Sequence, residues 1–345
     1  MDTRSAAALV DDPRGAPARL QATAGVRFAH LDAAAQHTAT ELAANTGALA
    51  SGDLPPDMSI VVFGSWARGE LTEGSDDDWA ILGARSFGGD DDGVARAMAL
   101  AEGQLGGGGR EPGSQGVFGV PFEVETLIRH VGLDADTNRN LTRRMLLLLE
   151  SREVAGSVHR TAWSAVLGRY LQFGIKSNRP PRFLLNDLVR YWRTICVDFE
   201  GKHRDTGGDD PKWVTRNAKL RTSRKLLFAG GLVPILLCHL RTADEMERFL
   251  TSWLTAPPAD RLAAAFLHYG AIDEGVRAFS AYDRWIGLMQ DHDARDELKR
   301  LRAATRGGSP LWREVRSIGE ELQRGLDALL FGTALRVLSI RYAIF

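Results

Sequence analysis

Asp76 and Asp78, inside Gly64-Ser65-Trp-Ala-Arg68-Gly69-Glu70-Leu-Thr-Glu-Gly-Ser75-Asp76-Asp-Asp78, are the residues best suited by type and spacing to chemistry. In an extended segment, side chains two apart point to the same face, so the two carboxylates stand side by side. Paired carboxylates repel each other unless a cation sits between them. Such oxygen ligands suit Mg²⁺, which takes one or two carboxylates and completes its shell with substrate phosphates and water. Asp90-Asp91-Asp92, flanked by glycines, reads instead as a solvated acidic loop.

The elements that must hold this pair are legible on both sides of it. Ile60 to Phe63 is an apolar, β-branched run that predicts a buried strand, and Trp79 to Leu82 predicts a second. Gly64 and Ser65 turn the chain between them, and Trp66 to Glu70 reads as a short helical turn. Val117 to Ile128 is expected to supply further strands, with Pro121 at an entry or edge. Alternation puts Glu123 and Glu125 on one face there and does not separate them.

This order resembles the signature of the DNA polymerase beta-type nucleotidyltransferase superfamily. The resemblance rests on Gly64-Ser65, a spacer, and Asp76-x-Asp78 between apolar strands. Ser65-x-x-Arg68-Gly69-Glu70 and Ser75-Asp76-x-Asp78 match the wording of its bacterial members. Leu141 to Gly156 reads as a helix ending at a glycine stop, and looks like the post-catalytic helix of PII-uridylyltransferase-like proteins. The likeness covers about Phe63 to Gly156.

The resemblance implies an α+β fold, a mixed sheet with flanking helices, followed by an all-α domain. It implies a metal-dependent transfer of an NMP from an NTP, such as ATP, to an acceptor hydroxyl, with pyrophosphate released. Asp76 and Asp78 would bridge two Mg²⁺ ions, with Mn²⁺ as the alternative. Glu125 would be the third carboxylate, with Glu123 as runner-up, since Val124-Glu125-Thr-Leu-Ile-Arg129 resembles the acidic strand of the glutamine-synthetase-modifying relatives. Gly64, Ser65 and Arg68 would meet the nucleotide. The acceptor is left open among a protein or small molecule, another nucleotide as in cyclic-oligonucleotide synthases, and a tRNA.

A chain of 345 residues with 44% hydrophobic residues has room for two domains. Its net charge of −1 gives no global sign of a polyanionic partner. Two cysteines, Cys196 and Cys238, fit a reducing cytoplasm and exclude a disulfide framework. The apolar stretch from Leu226 to Leu240 is broken by Gly230, Gly231 and Pro234, so no membrane span is expected.

Three segments follow from the pattern: a flexible lead over residues 1–19, a catalytic domain over 20–156, and a helical domain over 157–345 that closes the nucleotide cleft. Leu20 to Leu49 predicts one helix on the back of the sheet, and Val94 to Leu105 another. The glycine-rich Gly106 to Gly116 lacks the Lys-Ser/Thr ending of a P-loop. In the helical part, Lys212 to Lys225 carries six basic residues and no acid. Lys212, Arg216 and Lys219 share a helical face, and Arg221, Arg224 and Lys225 continue close by. Lys212, Lys219 and Arg224 are thus expected at the β and γ phosphates.

Overall fold

In a computed structural model, the described residues are 9–50, 52–85, 87–88, 91–105, 117–207 and 210–344. Asp90 and Gly106 to Gly116, read above as loops, lie outside them, whereas Asp91 and Asp92, read as part of the same loop as Asp90, open a helix. The elements run α1 (Ala16–Ala24), α2 (Ala29–Leu49), β1 (Met58–Phe63), α3 (Ser65–Arg68), β2 (Trp79–Gly83), α4 (Asp91–Leu105), β3 (Pro121–Glu123) and α5 (Val124–Arg129). Then come α6 (Asn138–Leu149), β4 (Ser151–Gly156), α7 (His159–Leu171), α8 (Arg182–Asp205), α9 (Trp213–Arg221), α10 (Ser223–Leu237) and α11 (Ala243–Thr255). The chain finishes with α12 (Pro258–His268), α13 (Ile272–Gln290), α14 (His292–Arg300), α15 (Pro310–Gly332) and α16 (Leu335–Leu338). This is the expected α+β domain plus helical region.

Contacts divide the chain into two units, residues 34–176 and residues 1–33 with 177–345. In the first, four strands form a mixed sheet in the order β3-β2-β1-β4. β1 pairs antiparallel with both β2 and β4, and β2 pairs parallel with β3. Alternation along β1 gives the sheet two faces. Met58, Ile60 and Val62 join Trp79 and Ile81 in a core with Leu42 and Leu49 of α2 and Ala97, Ala101 and Leu105 of α4. Phe63 points the other way, its ring 5.5 Å from that of Phe118 and 6.4 Å from that of Phe122. Arg143 of α6 lies over Phe122. On the α6 side, Arg144 is fully buried, with a bidentate pair to Asp136 and a bond to the Tyr170 hydroxyl.

Three expectations are corrected. β3 ends at Glu123 and the chain coils at once into α5, because Val124, Leu127 and Val131 are buried at helical spacing and Glu125 pairs with Arg129 one turn on. The helix read from Leu141 to Gly156 stops at Leu149; Ser151 to Gly156 is β4, paired along β1. The helix read from Leu20 to Leu49 is two, parted at Gly25 in the left-handed region.

The second unit is helical among its described residues. Residues 9–33 belong to it: α1 packs on α12 and α13, Gly15 N–H donates to Asp260 at 2.6 Å, and Trp253 Nε1 donates to the Val10 carbonyl at 3.1 Å. Trp213–Leu240 has the length and apolarity of a membrane span by composition, but 72% of its most apolar window is buried within the fold. It reads as core. Burial pushes the Cys238 thiol up, which makes it inert as a nucleophile.

Candidate functional site

The turn after β1 is built from its own backbone. Gly64 has φ 61° and ψ −133°, a conformation open to glycine alone, and Gly69 closes α3 at φ 74°. Arg68 N–H donates to the Gly64 carbonyl and Glu70 N–H to the Ser65 carbonyl, each at 2.9 Å. Trp66 is buried in the core, and its Nε1 donates to Asp77 Oδ1 at 2.8 Å. Asp77 is therefore turned inward. Its neighbours differ: Asp76 is exposed and Asp78 half-buried. The β ladder reaches Asp78, whose carbonyl accepts from Phe63 N–H at 2.8 Å.

Asp78 and Gly64 are in close approach. A Cβ on Gly64 would stand 3.0 Å from Asp78 Oδ2 and 3.9 Å from Arg68 Nη1. Gly64→Ala is expected to cost about 1–3 kcal/mol in backbone strain and to displace the Asp78 carboxylate. Any activity assigned to Asp78 should fall further than the unfolding midpoint alone explains, read by turnover and denaturation on the same sample.

Arg68 is a clamp. Its Nε meets Glu70 Oε2 at 2.7 Å and its Nη1 meets Glu150 Oε2 at 2.5 Å, and both carboxylates are buried. Glu70 Oε1 is buried without a hydrogen-bond partner. The guanidinium thus stands at the turn with two carboxylates opposing its charge. It ties α3 to the residue just before β4. Sequence reasoning missed Glu150; its signal is an acid closing the apolar run Leu146 to Leu149.

Neither glutamate expected as the third carboxylate lies level with Asp78. Leu82 is level with Phe122 and Gly83 with Glu123, so Asp78 is level with Phe118. Five residues along a strand separate the levels of Asp78 and Glu123, about 16 Å. Glu123 is occupied there, accepting from Phe87 N–H at 2.9 Å and from the Thr126 hydroxyl at 3.2 Å. Glu125 lies beyond it on α5, exposed and paired with Arg129. A strand carrying a third acid beside Asp78 was expected; helix formation from Val124 rules that out for Glu125.

The predicted phosphate residues Lys212, Lys219 and Arg224 belong to the helical unit. Their common face is broken at Thr222, whose ψ of −96° ends α9, so Arg224 starts a new helix. Arg216 is paired with the buried Asp210. Burial, then Arg221, lowers the Lys225 pKa.

On the Phe63 face, Ser151 Oγ lies 2.7 Å from His159 Nε2, and Ser59 Oγ donates to Glu153 Oε1 at 2.6 Å. Burial lowers the His159 pKa, with Glu153 opposing. Because the folded state holds this imidazole neutral, the unfolded state binds more protons as pH falls through about 6.5, the usual histidine value. Stability should drop on acidification through that value towards the lower folded one, and His159→Gln should flatten this part of the pH profile of unfolding.

The donor set can be tested against a divalent ion. Among the described residues no three or more His, Cys, Asp or Glu side chains are gathered to hold a metal. A pair of carboxylates nevertheless suffices for Mg²⁺ when the substrate brings the remaining oxygens. Asp76 and Asp78 fit that reduced set; Glu123 and Glu125 do not join it.

No curated protein matches the chain. Residues 50–127 match the family model described as a nucleotidyltransferase domain, which contains β1, the turn, β2, β3 and both aspartates. With the strand-turn-strand frame from Met58 to Gly83, that match identifies residues 50–127 as a nucleotidyltransferase domain, consistent with the polymerase beta-type superfamily.

Proposed function

We propose that the chain transfers an NMP from an NTP to an acceptor hydroxyl. The observation that carries this is Asp78 held against the Gly64 turn, with Asp76 exposed two residues before it, inside the matched domain. The acceptor oxygen forms a bond to the α-phosphorus, the bond to the β-phosphate bridge breaks, pyrophosphate leaves, and the acceptor proton is released. A divalent cation bound with the triphosphate, Mg²⁺ or Mn²⁺, supplies neutralisation of charge on the phosphoryl oxygens and the leaving group.

Asp76 and Asp78 would hold that cation. Gly64 lets the triphosphate approach the backbone, and Ser65 offers its N–H and hydroxyl to it. Arg68, fixed by Glu70 and Glu150, keeps the turn in shape. Glu125 was expected to complete the ion set and draw off the proton; its pairing on α5 leaves both duties to the two aspartates.

The test is incubation of the purified chain with each labelled NTP and Mg²⁺ or Mn²⁺, alone and with a cell extract. Pyrophosphate release that needs an acceptor supports transfer to a protein, small molecule or nucleic acid. Nucleotide–nucleotide products from NTP alone would favour a second-messenger synthase. Absence of both, with NTP bound, would leave a binding module and overturn the proposal.

A further inference from the structure

Two neighbouring arginines on α6 are treated oppositely. Arg144 is fully buried, and Asp136, the Tyr170 hydroxyl and the Leu127 carbonyl all accept from it. Arg143 is half-buried, and its Nε is the one guanidinium nitrogen among the described residues that is buried without a hydrogen-bond partner. No carboxylate of the described residues stands within ion-pair distance of it; the guanidinium carbon lies 5.1 Å from the centre of the Phe122 ring. Arg139, one turn earlier on the same stripe of α6, is exposed and adds a like charge. Burial first, then Arg139, holds the Arg143 pKa down.

An exposed cation without a partner is ordinary, because water solvates it. A partly desolvated one beside a second cation is not, and it weakens the fold until an anion arrives. One such guanidinium suits a single acidic group rather than a long run of them.

Its placement points to the source of that anion. Val62 and Trp79 pair across β1 and β2, and both enter the core under α2 and α4. The next pair, Phe63 and Asp78, joined through the Phe63 N–H, therefore turns to the other face. Phe118, Phe122 and Arg143 lie on that face, since the Phe63 ring packs against both phenylalanines. Phe122 is level with Leu82, four residues beyond Asp78, or about 13 Å along the strand. The strand order β3-β2-β1-β4 puts the Gly64–Ser65 turn on one side of Asp78 and Phe122 on the other. With the leaving pyrophosphate on that turn, in-line displacement brings the acceptor oxygen from the β3 side. An acceptor entering there passes Arg143, whereas the triphosphate points away from it.

We propose that Arg143, backed by Arg139, binds the phosphate or carboxylate of a small acidic acceptor, whose reacting hydroxyl lies several bonds from that group. The choice of acceptor rests on the transferase reading; the anion site does not.

The anion site is tested without turnover. In nitrogen–proton spectra of the arginine-labelled full chain, the Arg143 Nε–H signal, identified by its loss in Arg143→Lys, should shift as inorganic phosphate or acetate is added. The two anions tell phosphate from carboxylate. No shift with either would overturn the proposal.

The acceptor is tested by pyrophosphate release from labelled NTP, with cell extract as its source. Extract stripped on an anion exchanger should no longer support release, and the low-mass part of the salt eluate should restore it. Arg143→Gln should raise the half-saturating amount of that eluate about 10- to 100-fold, as expected for one charge-assisted hydrogen bond. The KM for NTP should not move, and Arg143→Lys should recover part of the loss. The unfolding midpoint of Arg143→Gln should hold or rise, because a desolvated cation has gone.

Release sustained by stripped extract, or restored by macromolecules alone, would overturn the proposal. So would a raised KM for NTP with the acceptor unaffected, which would make Arg143 a triphosphate residue. A lower midpoint with unchanged half-saturation would leave a structural cation and overturn it too. No release by the unaltered chain with any fraction would instead defeat the transferase reading, and the anion-dependent shift at Arg143 would still stand.

Discussion

Asp78→Asn is expected to reduce nucleotidyl transfer by about 10³-fold or more, with little change in the unfolding midpoint. The size follows from the chemistry: losing one of two carboxylates that hold the cation removes about 4 kcal/mol of transition-state stabilisation, at 1.36 kcal/mol per decade. The small change in stability follows from the setting, since Asp78 joins β1 through its backbone carbonyl and the amide side chain keeps the shape. Asp76→Asn should behave alike, because Asp76 is exposed. Asp77 supplies the contrast. It is 4% exposed and accepts from Trp66 Nε1, so Asp77→Ala should cost about 1–3 kcal/mol by orphaning a buried donor. Pyrophosphate release and denaturant midpoints on the three variants separate the roles. Full turnover by folded Asp78→Asn would remove the aspartate from the chemistry.

The same three residues mark how much could be read in advance. Gly64, the two apolar runs and the Asp76/Asp78 spacing are local patterns, and the strand-turn-strand frame follows from them because its partners are adjacent in sequence. Glu123 and Glu125 could not be placed that way. Their fate depends on where β3 stops, and the deciding signal, Val124, Leu127 and Val131 at helical spacing, competes with an equally good strand alternation over Phe122 to Glu125. β4 was hidden for a related reason: its residues follow α6 without a glycine or proline break, and only pairing with β1 makes them a strand. Arg68 was legible as a cation at the turn. Its clamp was not, because Glu150 lies 82 residues away. Charge segregation along Lys212 to Lys225 was visible, yet the break at Thr222 required the fold.

Arg261→Met is expected to destabilise the helical unit by about 3–5 kcal/mol, although the new side chain is apolar and of similar length. Arg261 is 1% exposed. Its Nε donates to the Ala256 carbonyl at 2.8 Å and Nη2 to the Leu254 carbonyl at 2.7 Å, so it caps the end of α11. Its Nη1 reaches the Gly230 carbonyl at 3.4 Å. That last carbonyl is left without its helical donor because Pro234, four residues on inside α10, has no N–H. One guanidinium therefore answers three backbone oxygens in a dry interior, and removing it leaves each at a cost of about 1–3 kcal/mol, partly relieved by relaxation. Gly230 is confined from the other side as well, since a Cβ there would come within 2.8 Å of Pro258 Cβ, so the helices cannot slide to restore the contact. Hydrogen exchange should localise the loss, with faster exchange of α10, α11 and α12 amides in the variant while those of β1 and β2 hold their rates. Unchanged protection in α11 would mean that the guanidinium carries no such load, and that Pro234 is accommodated by the backbone alone.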